Sequence, residues 1–277
     1  MGDEYLASGF SDVDARGDAT AYGQCLSLLD SLPYFRRTKE RSYDLLRLSA
    51  GMTVLEVGCG IGDDALRMAE RVAPGGTVVG VDASARMIAA ARARLAAHPQ
   101  VALHRADARR LPFRDASFAR CRVDRTLQHI QHPGQVLREM ARTLKPGGLL
   151  LAYDNDWGTF SLSGSDDECT RIMETLWGDS FANRWIGRYL RRYFREAGLA
   201  EVAAVPSVCV LDDFALADRV YNLRQTAERA VKGGRVTPAR AARWLADLEE
   251  QSRAGAFLCT LTAFTVVGTK PGRGTAS

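Results

Sequence analysis

Hydrophobic and polar positions change rhythm at Thr53. From there, short apolar runs alternate with longer amphipathic stretches. The pattern predicts strands at Thr53–Val57, Thr77–Val81, Val101–Arg105, Phe118–Val123 and Leu149–Tyr153. It predicts helices at Asp63–Val72, Ala85–Ala97 and Gly134–Leu144 between them. Turn chemistry at Pro74 to Gly76, Arg114 to Ser117 and Lys145 to Gly148 punctuates the series. Strands alternating with helices of this length imply βαβ units, a parallel sheet and, through right-handed crossovers, helices on both faces.

The flanks follow other patterns. Residues 1–20 are polar and expected to be mobile, and 21–50 predict two helices broken near Pro33. Residues 155–183 read as irregular, with one helix at Asp167–Leu176. Beyond them come a helix at Ile186–Ala197 closed by Gly198, a sixth strand at Val202–Leu211 and helices at Phe214–Val231 and Pro238–Gln251. Thr237 and Pro238 suit the start of the last helix. A final β-rich run covers Phe257–Thr269. The organisation expected is an N-terminal helical cap (1–46), a ligand-binding core (47–155), and a C-terminal part (156–271) that completes the sheet. That last part carries a helical insertion at 214–255, and a disordered tail follows at 272–277.

Length and composition narrow the class without naming an activity. The 277 residues suffice for one sizeable core, and 46% apolar with 25% charged residues is ordinary for a globular chain. The net charge of +4 is spread over scattered Arg pairs, which argues against a nucleic-acid partner. Six cysteines form no CxxC pair and have no histidine at zinc spacing, so reduced, buried thiols and no metal are expected. The acidic N-terminal run lacks the apolar core of a leader, and no apolar run approaches the ~20 residues that cross a bilayer. A cytoplasmic protein without a membrane partner is expected, with a second copy of the chain as the one protein partner to consider.

The candidate chemistry begins at Val54–Gly62, VLEVGCGIG, where a buried strand delivers Gly58, Gly60 and Gly62 into a bend that opens a helix. A dinucleotide fingerprint needs its third glycine three positions after the second. Here that position is Asp63, with Asp64 beside it. Two carboxylates next to a pyrophosphate would cost on the order of a few kcal/mol at an effective dielectric of ~20. A phosphate-free cationic ligand avoids that cost, and Glu56 suits its positive end. Asp82, ending the second strand, suits a ribose diol, and Met87 suits the adenine face. Asp107 and the backbone N–H of Ala108, after strand three, suit the adenine edge. Each has an ordinary alternative: a structural loop, a helix cap, a core methionine, a turn aspartate.

Together VLEVGCGIG, GVDAS, ADARRLPF, LQHIQHP and LKPGG resemble the class I S-adenosylmethionine-dependent methyltransferases, closest to the ubiquinone/menaquinone-biosynthesis type and related small-molecule enzymes. The resemblance covers about residues 45–155. It implies a Rossmann-like, doubly wound α/β sheet of seven strands, the last antiparallel. It implies S-adenosylmethionine as cofactor, S-adenosylhomocysteine as product, and a cofactor site including Glu56, Gly58, Cys59, Gly60, Gly62, Asp82, Ala83, Met87, Asp107, Ala108 and backbone near Arg125. Asp63-Asp64 and the long insertion depart from the family pattern. The insertion, with the N-terminal helices, is expected to form a lid over the acceptor.

Methyl transfer needs a base only if the acceptor loses a proton as it attacks. His129 is the first candidate because an unperturbed imidazole titrates near neutrality. His132, Asp154 and Asp156 are further candidates, and packing is the alternative for His129. The aromatics Trp177, Trp185, Tyr189, Tyr193, Tyr221, Trp244 and Phe257 suit either a planar acceptor or a lid core. The expected activity is methylation of an oxygen or carbon of a small-molecule, specialised-metabolite acceptor. The alternative is a repurposed fold that binds the cofactor but performs a rearrangement or cyclisation, or serves as a binding partner.

Overall fold

A computed structural model describes residues 13, 14 and 19–272. Expectations for 1–12, 15–18 and 273–277 lie outside the described residues. Helices α1 (Ala19–Ser31) and α2 (Pro33–Leu45) lead into the alternating region: β1 (Thr53–Val57), α3 (Asp63–Val72), β2 (Thr77–Asp82), α4 (Ala85–Arg94), β3 (Val101–Arg105), β4 (Phe118–Asp124), α5 (Pro133–Thr143) and β5 (Leu144–Asn155). Then come β6 (Ser161–Leu162), α6 (Asp167–Gly178), α7 (Ile186–Glu196), β7 (Ala200–Leu211), α8 (Phe214–Tyr221), α9 (Leu223–Lys232), α10 (Pro238–Arg253) and β8 (Cys259–Thr269).

The strands form one sheet in the order β3-β2-β1-β4-β5-β8-β7, with β1 to β5 parallel and β8 antiparallel to both neighbours. The two-residue β6 pairs with the start of β8, giving eight strands where the resemblance implies seven. Strand order reverses beside β1, whose neighbours are β2 and β4. This is the switch point at whose carboxyl ends open α/β sheets bind ligands.

Strand alternation sorts β1 between two layers. Leu55 and Val57 join the core with Leu137 and Met140 of α5 and Ile186 and Leu190 of α7. Val54 faces the other way, with Tyr43 of α2 and Met68 and Val72 of α3. A third core, which includes Trp177, Tyr221, Ala227 and Trp244, joins α6 to α8, α9 and α10.

Several expected boundaries shift. The second crossover helix stops at Arg94 rather than continuing to residue 97, and β5 begins at Leu144, so the Lys145–Gly148 turn residues lie inside its span. The single helix expected at Phe214–Val231 is two, broken at Asn222, which sits in the left-handed region at φ 48°. Short polar side chains tolerate that region better than most residues do.

The candidate active site

At the carboxyl ends of β1, β2 and β4 lies a cavity of about 830 Å³. The glycine bend forms its floor. Gly58 (φ 74°) and Gly60 (φ 51°) both line the cavity. A Cβ on Gly58 would fall 2.0 Å from Thr126 Oγ1, so no larger residue fits.

Asp82 sits at the tip of β2 and also lines the cavity. Its carboxylate accepts the backbone N–H of Gly60 (3.0 Å) and of Ser84 (2.9 Å), which ties the bend to the β2 loop. Burial raises its pKa, against those two hydrogen bonds. Ser84, not Asp82, caps α4, accepting the N–H of Met87 at 3.1 Å. Asp14 accepts the N–H of Ala85 (2.9 Å) and the Ser84 hydroxyl (2.6 Å), which brings Val13 against Met87 and Tyr22 at the cavity wall. The Arg109 side chain forks onto Asp107 at 2.8–3.1 Å and holds its carboxyl below the usual range. Ala83, Asp107, Ala108, Arg125 and His129 all line the cavity.

Three candidates point elsewhere. Cys59 packs into the gap left by Gly80, and a Cβ on Gly62 would strike Leu95, just past the end of α4, at 2.7 Å, so both serve helix packing. Glu56 shares the face of Val54, and its carboxylate takes Arg122 Nη1 at 2.7 Å beneath α2 and α3. Arg122 is 0% exposed and also holds Asp124 (2.5 Å) and Asp64 (3.3 Å). Lys39 binds Asp64 (3.0 Å) and Asp30 (3.2 Å), and Arg67 joins Asp30. Burial, reinforced by neighbouring Asp64, pushes the Glu56 carboxyl up to about 8. Asp64 is held low by Arg122 and Lys39 against the burial that would raise it.

This network corrects the reading of the acidic bend. Asp63 is paired with Arg94, and Asp64 with Lys39 and Arg122. Their charges are answered by the protein and are not presented to a ligand.

The far end of the cavity is aromatic. Trp157 stacks on Phe181 (4.4 Å between ring centroids, 13° between planes) and meets Trp177 edge-on at 5.5 Å. Phe35 of α2 and Tyr221 of α8 complete this wall, together with Gln128, His129 and Asn155. Gln128, Asn155 and Trp157 are hydrogen-bonded to one another. Gln128 Oε1 accepts from Trp157 Nε1 (2.9 Å) and Asn155 Nδ2 (3.3 Å), and Gln128 Nε2 donates to the Arg125 carbonyl (3.3 Å). His129 lies 5.5 Å from Phe181, and burial with the nearby Arg125 charge pushes its imidazole down to about 4.

Of the other expected residues, Trp185 and Tyr189 are exposed, while Trp244 and Phe257 are packing residues in the helical core. Asp156 binds Arg188 (2.6 Å), and Asp154 is fully buried under the N–H groups of Gln128 and Asn155. No cluster of metal-binding side chains occurs among the described residues. Sequence reasoning missed Asp124, Gln128 and Asn155, although all three stand at or just past strand ends, the same positional signal that found Asp82.

Residues 54–148 match the model of a methyltransferase domain family. An uncharacterised 37.1 kDa protein in transposon TN4556 of Streptomyces fradiae is 35% identical over 251 residues, covering 90% of this chain and 71% of that protein. The methyltransferase GfsG of Streptomyces halstedii is 40% identical over 142 residues, 50% of this chain and 49% of its own. A demethylmenaquinone methyltransferase of Listeria monocytogenes is 38% identical over 118 residues, 42% of this chain and 50% of its own. The chain thus spans about half the length of the latter two.

Among solved structures, the YcgJ protein of Bacillus subtilis has a TM-score of 0.60 at 19% identity, covering 85% of this chain and 99% of that one. Phosphoethanolamine N-methyltransferase 2 of Haemonchus contortus has 0.59 at 18%, covering 95% and 60%. The [4+2]-cyclase SpnF has 0.53 at 22%, covering 86% and 82%. At these identities the structural likenesses speak for the fold. With the sequence relatives and the matched domain, they lead to one conclusion: the chain belongs to the class I S-adenosylmethionine-dependent methyltransferases.

Proposed function

We propose that this protein transfers the methyl group of S-adenosylmethionine to an oxygen or carbon of a small, largely planar and apolar metabolite. One observation carries the reading: a single cavity of about 830 Å³ joins an adenosyl-type end to an aromatic end. Small-molecule sites run from roughly 300 to 1,000 Å³, so this one has room for a donor beside an acceptor.

The residues at the first end fit the donor. Asp82 has lone pairs left for ribose hydroxyls, Ala108 offers its backbone N–H to an adenine ring nitrogen, and Asp107 accepts from the amino group. Gly58 and Gly60 present bare backbone, and Asp124 places a carboxylate where the ligand's cationic end would lie. The donor supplies a sulfonium-activated methyl group. The protein's task is therefore to orient the acceptor and exclude water. Trp157, Phe181, Trp177 and Tyr221 do so by burial and stacking, and the mutual hydrogen bonds of Gln128, Asn155 and Trp157 hold the wall rigid. We assign His129 to shaping that wall. An imidazole titrating at about 4 is too weak a base to accept a proton efficiently near neutrality. Demethylmenaquinone methyltransferase, a relative named for a small-molecule acceptor, supports this class of substrate.

Calorimetry with S-adenosylmethionine and S-adenosylhomocysteine tests the donor site, and absence of binding to folded protein would reject it. Incubation with methyl-labelled donor and metabolite extract tests the transfer. Label must appear in a small molecule heavier by one methylene. A product isomeric with its substrate, formed without consuming the donor, would instead identify a rearrangement or cyclisation.

A further inference from the structure

Where the two ends of the cavity meet, Arg125 is held from several sides yet left incomplete. It follows β4 at φ 48°, in the left-handed region that non-glycine residues seldom occupy without compensation. Its backbone N–H donates to the Tyr153 carbonyl at 2.8 Å. Its Nε donates to Asp124 Oδ1 at 2.8 Å, and the guanidinium lies 5.0 Å from the centre of the Phe35 ring. The remaining arm differs: Nη1 is buried and has no hydrogen-bond acceptor among the described residues. A charged donor withdrawn from water and left without an acceptor is unfavourable unless a ligand completes it.

Among the described residues, the nearby carboxylates already have partners in the protein. Asp124 divides its charge between Arg122 and Arg125. Asp154 is occupied by two backbone N–H groups, Asp82 by two more, and Asp107 by Arg109. Arg219, also lining the cavity, adds a second positive charge at the aromatic end.

We propose that Arg125 is the cavity's receptor for a carboxylate or other anionic oxygen of a bound small molecule, taken on Nη1. The inference rests on the reading of the cavity as a donor and acceptor site. A planar guanidinium fixed in orientation by Phe35 and Asp124 is the side chain best suited to an oxyanion. Two bound molecules can bring that oxygen: the donor through its α-carboxylate, or the acceptor through an ionised hydroxyl or carboxyl group.

Paired ligands that differ in one charge separate the sources. The first pair is S-adenosylhomocysteine and its decarboxylated analogue S-adenosylthiopropylamine. The second is naphthoate and the neutral naphthalenemethanol, each titrated with and without S-adenosylhomocysteine and followed by calorimetry. In the wild type, the anionic member of at least one pair binds about tenfold or more tightly, the range of a charge-assisted hydrogen bond. In Arg125→Gln the ratio falls to within about threefold, and Arg125→Lys retains part of it. Loss in the first pair assigns the site to the donor, and loss in the second to the acceptor. The nucleoside-free naphthoate titration keeps this test separate from the donor reading, which fails if S-adenosylhomocysteine does not bind the wild type. Wild-type ratios near one in both pairs overturn the proposal, as does an unchanged ratio in either folded variant. Should Arg125→Gln not fold, the wild-type ratios and Arg125→Lys still decide.

Discussion

Replacing Arg122 with methionine isolates the electrostatic anchor beneath the glycine bend. Arg122 holds Glu56 at 2.7 Å, Asp64 at 3.3 Å and Asp124 at 2.5 Å, with no exposure of its own. After substitution Asp64 keeps Lys39 and Asp124 keeps Arg125, but Glu56, 3% exposed, loses its ion pair with Arg122. With the Glu56 carboxyl raised to about 8 and so largely protonated near neutrality, what is lost there is a charge-assisted hydrogen bond, about 1.5–3 kcal/mol, a substantial share of a total stability of roughly 5–15 kcal/mol. Urea titration at 25 °C measures the loss.

The pH dependence carries a sign. Glu56 is already raised to about 8 by burial, and loss of Arg122 raises it further. A carboxyl whose folded pKa exceeds its unfolded value binds more protons when folded, so stability falls as pH rises through that interval. Wild type and Arg122→Met therefore lose stability in parallel from about pH 5 to pH 8, and the deficit of the variant grows only above about pH 8, where the wild-type carboxyl ionises and the variant's stays protonated. Arg122→Met combined with Glu56→Gln removes the growth of the deficit above about pH 8, because the titrating group is gone. A single-variant cost below about 1 kcal/mol, or a double variant whose deficit still grows above about pH 8, would refute the reasoning.

Three further outcomes follow from the site. Asp82→Ala weakens S-adenosylhomocysteine binding by roughly 1–3 kcal/mol, since it removes an acceptor of charge-assisted bonds and frees Gly60 and Ser84; unchanged calorimetric affinity would show the wrong carboxylate was chosen. Gly58→Ala places a Cβ 2.0 Å from Thr126 Oγ1 at φ 74°, so it lowers stability by more than about 1 kcal/mol in thermal unfolding and weakens cofactor binding, and a neutral result would contradict the close approach. His129, pushed down to about 4, stays neutral above about pH 5, so turnover of a non-titrating acceptor shows no histidine step near 6.5; such a step, abolished in His129→Gln, would restore His129 as the base.

Much of the core was legible because its signals are local. Apolar runs, Gly58 and Gly60, and carboxylates at strand ends such as Asp82 and Asp107 follow from backbone geometry within a few residues. So does the class of fold, since alternating strands and helices leave few ways to pair. Asn222 splitting the helix expected over Phe214–Val231 was not legible, because a single left-handed residue leaves the apolar periodicity intact.

Side-chain direction and partners belong to the tertiary structure. Strand alternation turned Glu56 away from the cavity, but only the packing of α2 and α3 brought Lys39, Arg122 and Asp64 together to answer its neighbours' charges. The sequence shows how many acids surround the bend; which base neutralises each depends on contacts from 25 to 66 residues apart, such as Lys39 with Asp64 and Arg122 with Glu56. His129 likewise has an ordinary imidazole in the sequence and a suppressed one in the fold. Burial and the field of Arg125 exist only once the chain has closed around them.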